Sequence, residues 1–202
     1  MNPLSELQLD ALTEIFNIGA GRAASSLSEI VGDEVKLSVP CVQLYQSTEI
    51  NADILSLNSS RLGAVKQSFN GPFHADAMLL FTEDRALEIV HDIMNSQVGV
   101  EDVAEFEQEA MCELGNIILN ACLSSMADML DVTLNSSLPV YSVGTAEVVL
   151  RQIVSESPSL MLVLHIDLNI EKRHLQGYLV FLLSSSSLQK LLAHIDRFIA
   201  GI

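Results

Sequence analysis

The sequence predicts an α+β fold in which two long helices pack on a mainly antiparallel sheet. Three observations predict it: two long stretches with helical periodicity, several short stretches typical of strands, and a pattern that recurs half a chain later. The 202 residues are enough for one domain, and 49% of them are hydrophobic. Because aromatic residues make up only 5% of the chain, the core must consist mainly of aliphatic side chains and methionine.

The first long helix is predicted over residues 5–30, and the repeat places its counterpart 99 residues later. Without a gap, the segment 10–40 (DALTEIFNIGAGRAASSLSEIVGDEVKLSVP) aligns with the segment 109–139 (EAMCELGNIILNACLSSMADMLDVTLNSSLP). Identical residues include Ala11 and Ala110, Glu14 and Glu113, Asn17 and Asn116, and Pro40 and Pro139. We therefore predict a single domain over residues 1–202, made of two repeats (about 1–98 and 99–202) related by a pseudo-two-fold axis.

Each repeat is expected to continue with strands and to end in a helix. Apolar and polar residues alternate over 35–39 and 132–134, as in a half-buried strand, while 160–166 and 178–183 are apolar enough for central strands. A strand, a polar cap and a short amphipathic helix are predicted twice, the helices being EDRALEIVHDI and SSSSLQKLLAHI. The junction between the repeats is predicted at 94–103.

A polar stripe runs along each long helix. Asp10, Glu14 and Asn17 stand at i, i+4 and i+7 and share one face, and Glu109, Glu113 and Asn116 repeat the arrangement. Asparagine in mid-helix is unusual because its side chain competes for backbone hydrogen bonds. A solvated helix face would explain either stripe alone. The residues expected to pack inward are Leu12, Ile15, Phe16, Gly19, Ala23 and Leu27, and Met111, Leu114, Ile118, Cys122 and Met126; Gly19 and Gly21 are expected to permit close packing.

Composition excludes several classes of function. The net charge is −16, with 26 acidic and 10 basic residues, and no Lys/Arg cluster is present, which disfavours nucleic acid and anionic membrane as partners. The five histidines and three cysteines lack metal-ligand spacing, so no metal site is predicted, and Cys112 and Cys122 are expected to be buried. With no signal peptide and no run of about 18 apolar residues, the chain is expected to be cytoplasmic.

The polar stripes carry a family resemblance. The pattern Asp-x3-Glu-x2-Asn-x22-Pro, met by Asp10, Glu14, Asn17 and Pro40, resembles the signature of the CheC/CheX/FliY family of chemotaxis phosphatases. The second copy, Glu109, Glu113, Asn116 and Pro139, keeps the spacing but has Glu where the family has Asp or Ser. Phe16 and Arg22 also depart from the family's usual small residue and Asn. Two copies half a chain apart resemble CheC more than CheX, which carries one.

The resemblance implies a phosphatase that hydrolyses the aspartyl phosphate of a CheY-like response regulator in chemotaxis. An amide offers a donor and an acceptor without charge, so Asn17 and Asn116 are assigned to position the attacking water. The family implies that Glu14 and Glu113 pair with a lysine of the regulator. Asp10 and Glu109 add docking contacts, and Pro40 and Pro139 are structural, at the start of a strand. Both copies are expected to be competent, and the first is the nearer match.

No cofactor, metal ligand or covalent nucleophile is expected in this chain, and Mg²⁺ is expected on the partner regulator. The alternative is a non-catalytic regulatory or binding module for a phospho-regulator or for a CheD-type receptor deamidase. A structural role in the flagellar switch is a third possibility, and the length of the chain speaks against it because it leaves no room for the additional domain of FliY.

Overall fold

A computed structural model describes residues 4–46, 61–84, 103–151, 160–170 and 173–201. Their helices and strands follow the order α1 (Glu6–Val31), β1 (Val35–Gln46), β2 (Arg61–Asn70), β3 (His74–Thr82), α2 (Val103–Met129), β4 (Asn135–Ser136), β5 (Val140–Thr145), α3 (Ala146–Arg151), β6 (Leu160–Ile170), β7 (Arg173–Leu183) and α4 (Ser185–Gly201). Most of the predicted EDRALEIVHDI helix and nearly all of the predicted junction at 94–103 lie outside the described residues.

The seven strands form one antiparallel sheet in the order β1-β6-β7-β3-β2-β4, with β5 also paired to β2. Each outer strand pairs with a strand from the other half of the chain: β1 with β6, and β4 and β5 with β2. At the centre, β3 pairs with β7 and Leu79 lies opposite Leu179. The predicted α+β architecture, with long helices on an antiparallel sheet, is confirmed, while the repeat and the single-domain boundaries stay predictions.

Local sequence explains where the first and last helices begin. Ser5 caps α1 in a capping box: its Oγ accepts from the N–H of Gln8, whose side chain accepts from the N–H of Ser5. The helix ends at Gly32, whose φ of 76° is a left-handed conformation that glycine adopts without steric cost. At α4, Ser184 Oγ accepts from the N–H of Ser187 at 3.1 Å, so the predicted serine cap is confirmed.

The predicted strand over 132–134 is wrong. The helix α2 ends at Met129 and a turn follows at Leu130 and Asp131, where the N–H of Val132 donates to the carbonyl oxygen of Ala127 at 2.9 Å; residues 132–134 form neither helix nor strand. Asp131 has a φ of 51°, which reverses the chain direction after the helix. Pairing with β2 therefore begins only at Asn135.

The core lies between the long helices and one face of the sheet. All the residues predicted to pack inward are buried: Leu12, Ile15, Phe16, Gly19, Ala23 and Leu27 on α1, and Met111, Leu114, Ile118, Cys122 and Met126 on α2. Phe16 stacks on Phe181 of β7 with ring centroids 5.1 Å apart. A second buried cluster occupies the opposite face of the sheet and includes Leu62, Ala64, Met78, Leu80 and Val180.

Gly19 sets the distance between α1 and α2. A Cβ at this position would lie 2.6 Å from the Cα of Cys122, so the two helices touch through backbone atoms here. Gly21 has no atom within 4 Å of such a Cβ, and its predicted role in close packing is therefore wrong.

One described helix passes a length and hydropathy test for membrane spans. The stretch Phe106–Met129 has 24 residues and a mean hydropathy of 1.2, and half of it is buried inside the protein. Core helices of soluble proteins pass the same test, so this stretch is weak evidence for a span. Its buried face is accounted for by packing on α1 and the sheet.

We expect Gly19→Ala to destabilise the protein by about 1–3 kcal/mol, because the added methyl group forces the two helix backbones apart. The matched control is Gly21→Ala, whose added Cβ has no atom within 4 Å. This substitution should raise the free energy of unfolding by up to about 1 kcal/mol, because alanine has the higher helix propensity. Urea denaturation of both variants measures the difference. Equal stabilities would contradict the close packing of α1 on α2.

Candidate functional site

The second copy of the motif lies in a groove of about 580 Å³ beside α2. All four of its motif residues line this groove together with apolar neighbours; the lining consists of Phe106, Glu109, Ala110, Cys112, Glu113, Asn116, Leu138 and Pro139. Leu138 is 86% exposed and Phe106 is 37% exposed, which is unusual for large apolar side chains without a partner. The predicted shared face of Glu109, Glu113 and Asn116 therefore agrees with their positions, and the structure adds Pro139 beside them.

Among the described residues that line the groove, the charged groups are carboxylates. Glu109 and Glu113 are exposed on α2, and the described part of the lining contains no Lys or Arg. The groove thus offers negative charge beside an apolar surface. A surface of this kind fits a partner that brings a cation together with apolar side chains.

Cys112 lines the same groove but is not suited to act as a nucleophile. Burial raises the pKa of its thiol above the ordinary value, so the group stays protonated at neutral pH. Tyr141 ties the groove's strand side to α2, because its hydroxyl donates to Glu107. Burial and the Glu107 carboxylate raise the pKa of Tyr141, which keeps that donor in place.

The side-chain amide of Asn116 is hydrogen-bonded through its oxygen. Its Oδ1 accepts from Asn120 Nδ2 at 2.6 Å and from Gln67 Nε2 at 3.4 Å. Within the described part of the chain, its Nδ2 has no hydrogen-bond partner. The two amide hydrogens are therefore available to a molecule bound in the groove.

The orientation of this amide is fixed by backbone carbonyls. Asn120 Nδ2 also donates to the carbonyl oxygen of Asn116 at 2.9 Å, and Gln67 Nε2 donates to that of Ser137 at 2.8 Å. A carbonyl oxygen only accepts, so both neighbours must present their NH₂ groups. The atom of Asn116 that faces them must then be its oxygen.

The first copy of the motif is arranged differently. Asn17 Nδ2 donates to the carbonyl oxygens of Thr13 at 3.0 Å and Val39 at 3.1 Å. Its Oδ1 accepts from the N–H of Val39 at 2.9 Å. Both amide hydrogens are used within the protein, and the side chain joins α1 to β1. Glu14 and Asp10 are exposed one and two turns earlier, respectively, on the same helix.

The prolines stand where strand pairing is interrupted. The register between β1 and β6 shifts between Ser38 and Cys41, and Pro40 lies inside this shift. Its predicted place at a strand start is wrong, since β1 extends from Val35 to Gln46. Pro139 does directly precede β5. The missing N–H of proline is tolerated at both positions because the strand pairing is broken there.

Sequence reasoning missed Gln67 and Asn120. A signal for Gln67 existed: it alternates in phase with Val65 and Phe69, both buried under the helices, so a polar residue stands where an apolar one is expected. Asn120 falls opposite Gly21 in the alignment of the two halves and so escaped a search for repeated residues.

Among the described residues, no group of three or more His, Cys, Asp or Glu is placed to hold a metal ion. Cys122 is buried as predicted, and burial raises its pKa to about 12. Cys112 is only half-buried, and Cys41 is exposed.

Comparison with known proteins gives the class of fold. A chain of Thermotoga maritima FliY matches with a TM-score of 0.76 at 20% identity, covering 97% of this chain and 99% of that one. A chain of the FliG–FliM complex from H. pylori matches with a TM-score of 0.66 at 14% identity, covering 94% of this chain and 100% of that one. This chain therefore has the same α+β fold as these two chains.

Sequence comparison narrows the class. The CheC-like family model matches residues 7–43, which contain the first copy of the motif. The CheY-P phosphatase CheC of Bacillus subtilis (strain 168) is 26% identical over 144 residues, which are 70% of this chain and 68% of that protein. This chain is therefore similar to the CheC-like family in its first motif segment and to a CheC protein over most of its length.

The two motif asparagines are expected to differ in their contribution to stability. Asn17→Ala removes three hydrogen bonds and leaves the N–H and carbonyl of Val39 without their side-chain partner, which costs about 2–3 kcal/mol. Asn116→Ala should cost about 1 kcal/mol or less, because Gln67 and Asn120 each keep a backbone acceptor. Denaturation in urea measures both, and an equal loss would contradict the structural role of Asn17.

Proposed function

We propose that this chain hydrolyses the aspartyl phosphate of a CheY-like response regulator, with the second copy of the motif as its principal catalytic site. The observation that carries the proposal is the groove that unites Glu109, Glu113, Asn116 and Pro139 beneath an exposed apolar rim. The similarity to a protein named CheY-P phosphatase CheC supports the choice of substrate. The available NH₂ group of Asn116 supports the choice of site.

The proposed chemical step needs little from this chain beyond positioning. A water molecule attacks phosphorus, an O–P bond forms, and the bond between phosphorus and the regulator's aspartyl oxygen breaks. The aspartate leaves as a carboxylate, and the protons of the water remain with inorganic phosphate. Mg²⁺ and a lysine on the regulator neutralise the phosphoryl oxygens, so what is missing is a water held in line.

Asn116 is proposed to hold that water. Its Nδ2 donates to one lone pair of the water oxygen, and the other lone pair points at phosphorus. An uncharged amide approaches the phosphoryl group without repulsion, whereas a carboxylate in the same place would repel it. Since Oδ1 is already bonded to Gln67 and Asn120, the amide does not need to reorient when the regulator binds.

Glu113 is proposed to dock the regulator by pairing with its lysine, with Glu109 beside it. One helical turn separates Glu113 from Asn116, so pairing at the glutamate brings the amide to the phosphoryl group. Phe106 and Leu138 supply apolar contact around these charges. This local surface matters because the net charge of −16 gives no long-range attraction to an acidic partner.

The first copy is proposed to contribute less. Asn17 would have to release the backbone of Val39 before its amide could enter a regulator's site. That release costs free energy at each encounter. Asp10 and Glu14 remain exposed, so the first copy retains a docking surface.

The direct test is the rate at which a phosphorylated CheY-type receiver domain loses its label. The receiver is radiolabelled with acetyl phosphate in the presence of Mg²⁺ and mixed with wild-type chain. We expect Asn116→Ala to slow the accelerated decay by on the order of a hundredfold, because the water loses its positioning donor. Asn17→Ala is the matched control and should slow it by less than about tenfold at a temperature where it is folded.

Two results of this experiment contradict the proposal. Unchanged decay with Asn116→Ala would show that this amide does not position the water. Retention of a phosphorylated receiver by the wild-type chain without any loss of phosphate would favour the alternative, a non-catalytic regulatory or binding module. A pull-down with a CheD-type deamidase tests whether the chain is instead a binding module for such a deamidase.

We expect a substitution of Glu113 to weaken binding of the receiver much more than it slows the chemical step. Glu113→Ala should raise the receiver concentration needed for half-maximal rate by about tenfold, because one charge-assisted contact is lost. The rate at saturation should fall much less, since Asn116 remains. Rates measured over a range of receiver concentrations give both values, and a pure loss of saturating rate would contradict the docking role.

A further inference from the structure

Gln67 is a buried polar side chain that the fold does not require. It lies on the helix-facing side of β2, in phase with the buried Val65 and Phe69, and is 1% exposed. Its Nε2 donates to the carbonyl oxygen of Ser137 and to Asn116 Oδ1, while its Oε1 is buried without a hydrogen-bond partner. A buried acceptor without a partner destabilises the folded state, and an apolar residue of similar size would avoid this cost.

We infer that Gln67 and Asn120 are positioning residues that hold Oδ1 of Asn116 and thereby present its NH₂ group to the groove. The inference rests on the proposed function of the second motif copy. Two donors approach one oxygen from different elements, Gln67 from β2 and Asn120 from the next turn of α2. Turning the Asn116 amide by half a rotation would set three NH₂ groups against one another, so only one orientation is favourable.

The first half of the chain serves as an internal comparison. Position 166, which is 99 residues after Gln67, is the buried Ile166, and Gly21 stands where the second half has Asn120. Neither residue can donate to the Asn17 side chain. There the amide bonds the backbone of Val39 instead. In the second half, Gln67 and Asn120 donate to Asn116, and the NH₂ group of Asn116 is available. In the first half both donors are missing, and the NH₂ group of Asn17 is bonded to the backbone.

Helix placement explains how Gln67 reaches the site. A Cβ at Gly115 would lie 2.3 Å from Val65 Cγ1, so α2 packs against β2 at the residue just before Asn116. This contact brings the asparagine next to the strand position that follows Val65 by two residues. In the first half the residue before the asparagine is Phe16, which stacks on Phe181.

The test uses Gln67→Met, which keeps the size of the side chain but removes the donor, and Asn120→Gly, which copies the residue of the first half. With a labelled CheY-type receiver, we expect each change to lower the saturating rate by about tenfold and to leave the half-saturating concentration within about twofold. The control is Ser125→Ala, on the same helix and buried, but outside the groove. It should leave both kinetic values unchanged.

A second measurement on the chain alone does not depend on activity. In ¹H–¹⁵N spectra, the side-chain NH₂ of Asn116 should be ordered in the wild type and become mobile in Gln67→Met, with no such change in Ser125→Ala. An Asn116 side chain equally ordered in Gln67→Met would overturn the positioning role. So would a Gln67→Met variant with full saturating rate. If the wild type has no phosphatase activity but Gln67→Met still mobilises Asn116, the proposed function fails and the positioning role stands.

Discussion

Each motif proline marks a place where two strands of the sheet stop pairing, and the backbone groups freed there must find other hydrogen bonds. Beside Pro40, the N–H and carbonyl of Val39 are bonded by the side chain of Asn17. Beside Pro139, the carbonyl of Ser137 is bonded by Gln67. The side chain that bonds the freed backbone groups therefore decides the state of the neighbouring asparagine. Asn17 bonds them itself, whereas Gln67 does so beside Asn116 and leaves the NH₂ group of Asn116 available.

Packing of the long helices fixes where the motif asparagines lie relative to the sheet. Backbone contact at Gly19 joins α1 to α2, and the close approach at Gly115 presses α2 on β2. Since these contacts involve backbone or short rigid side chains, the position of α2 over the sheet tolerates little change. The groove beside α2 inherits that rigidity, which is what a site needs if it is to hold a water molecule in one place.

The net charge of the chain acts on a partner at long range, and the residues of the groove act on it at short range. A net charge of −16 repels an acidic partner at long range, and salt screens this repulsion beyond about 10 Å. Glu113 and the exposed Leu138 line the groove, where a contact with a partner would act only at short range. Under the proposed function, specificity for the partner comes from this small local surface. The two motif asparagines differ in their hydrogen bonds on the same fold.

The sequence by itself determined the fold class, the inward faces of both helices and the shared face of Glu109, Glu113 and Asn116, because periodicity fixes which side chains of a helix share a face. That Pro139 lies beside them came only from the tertiary structure. The sequence placed the second copy's first strand too early, since the left-handed turn at Asp131 leaves no clear pattern. Only the tertiary structure decided that Asn17 and Asn116 differ. That difference depends on residues far apart in the chain, Gln67 and Asn116 among them, and hydrogen bonds between separate elements are not visible in the spacing of either one.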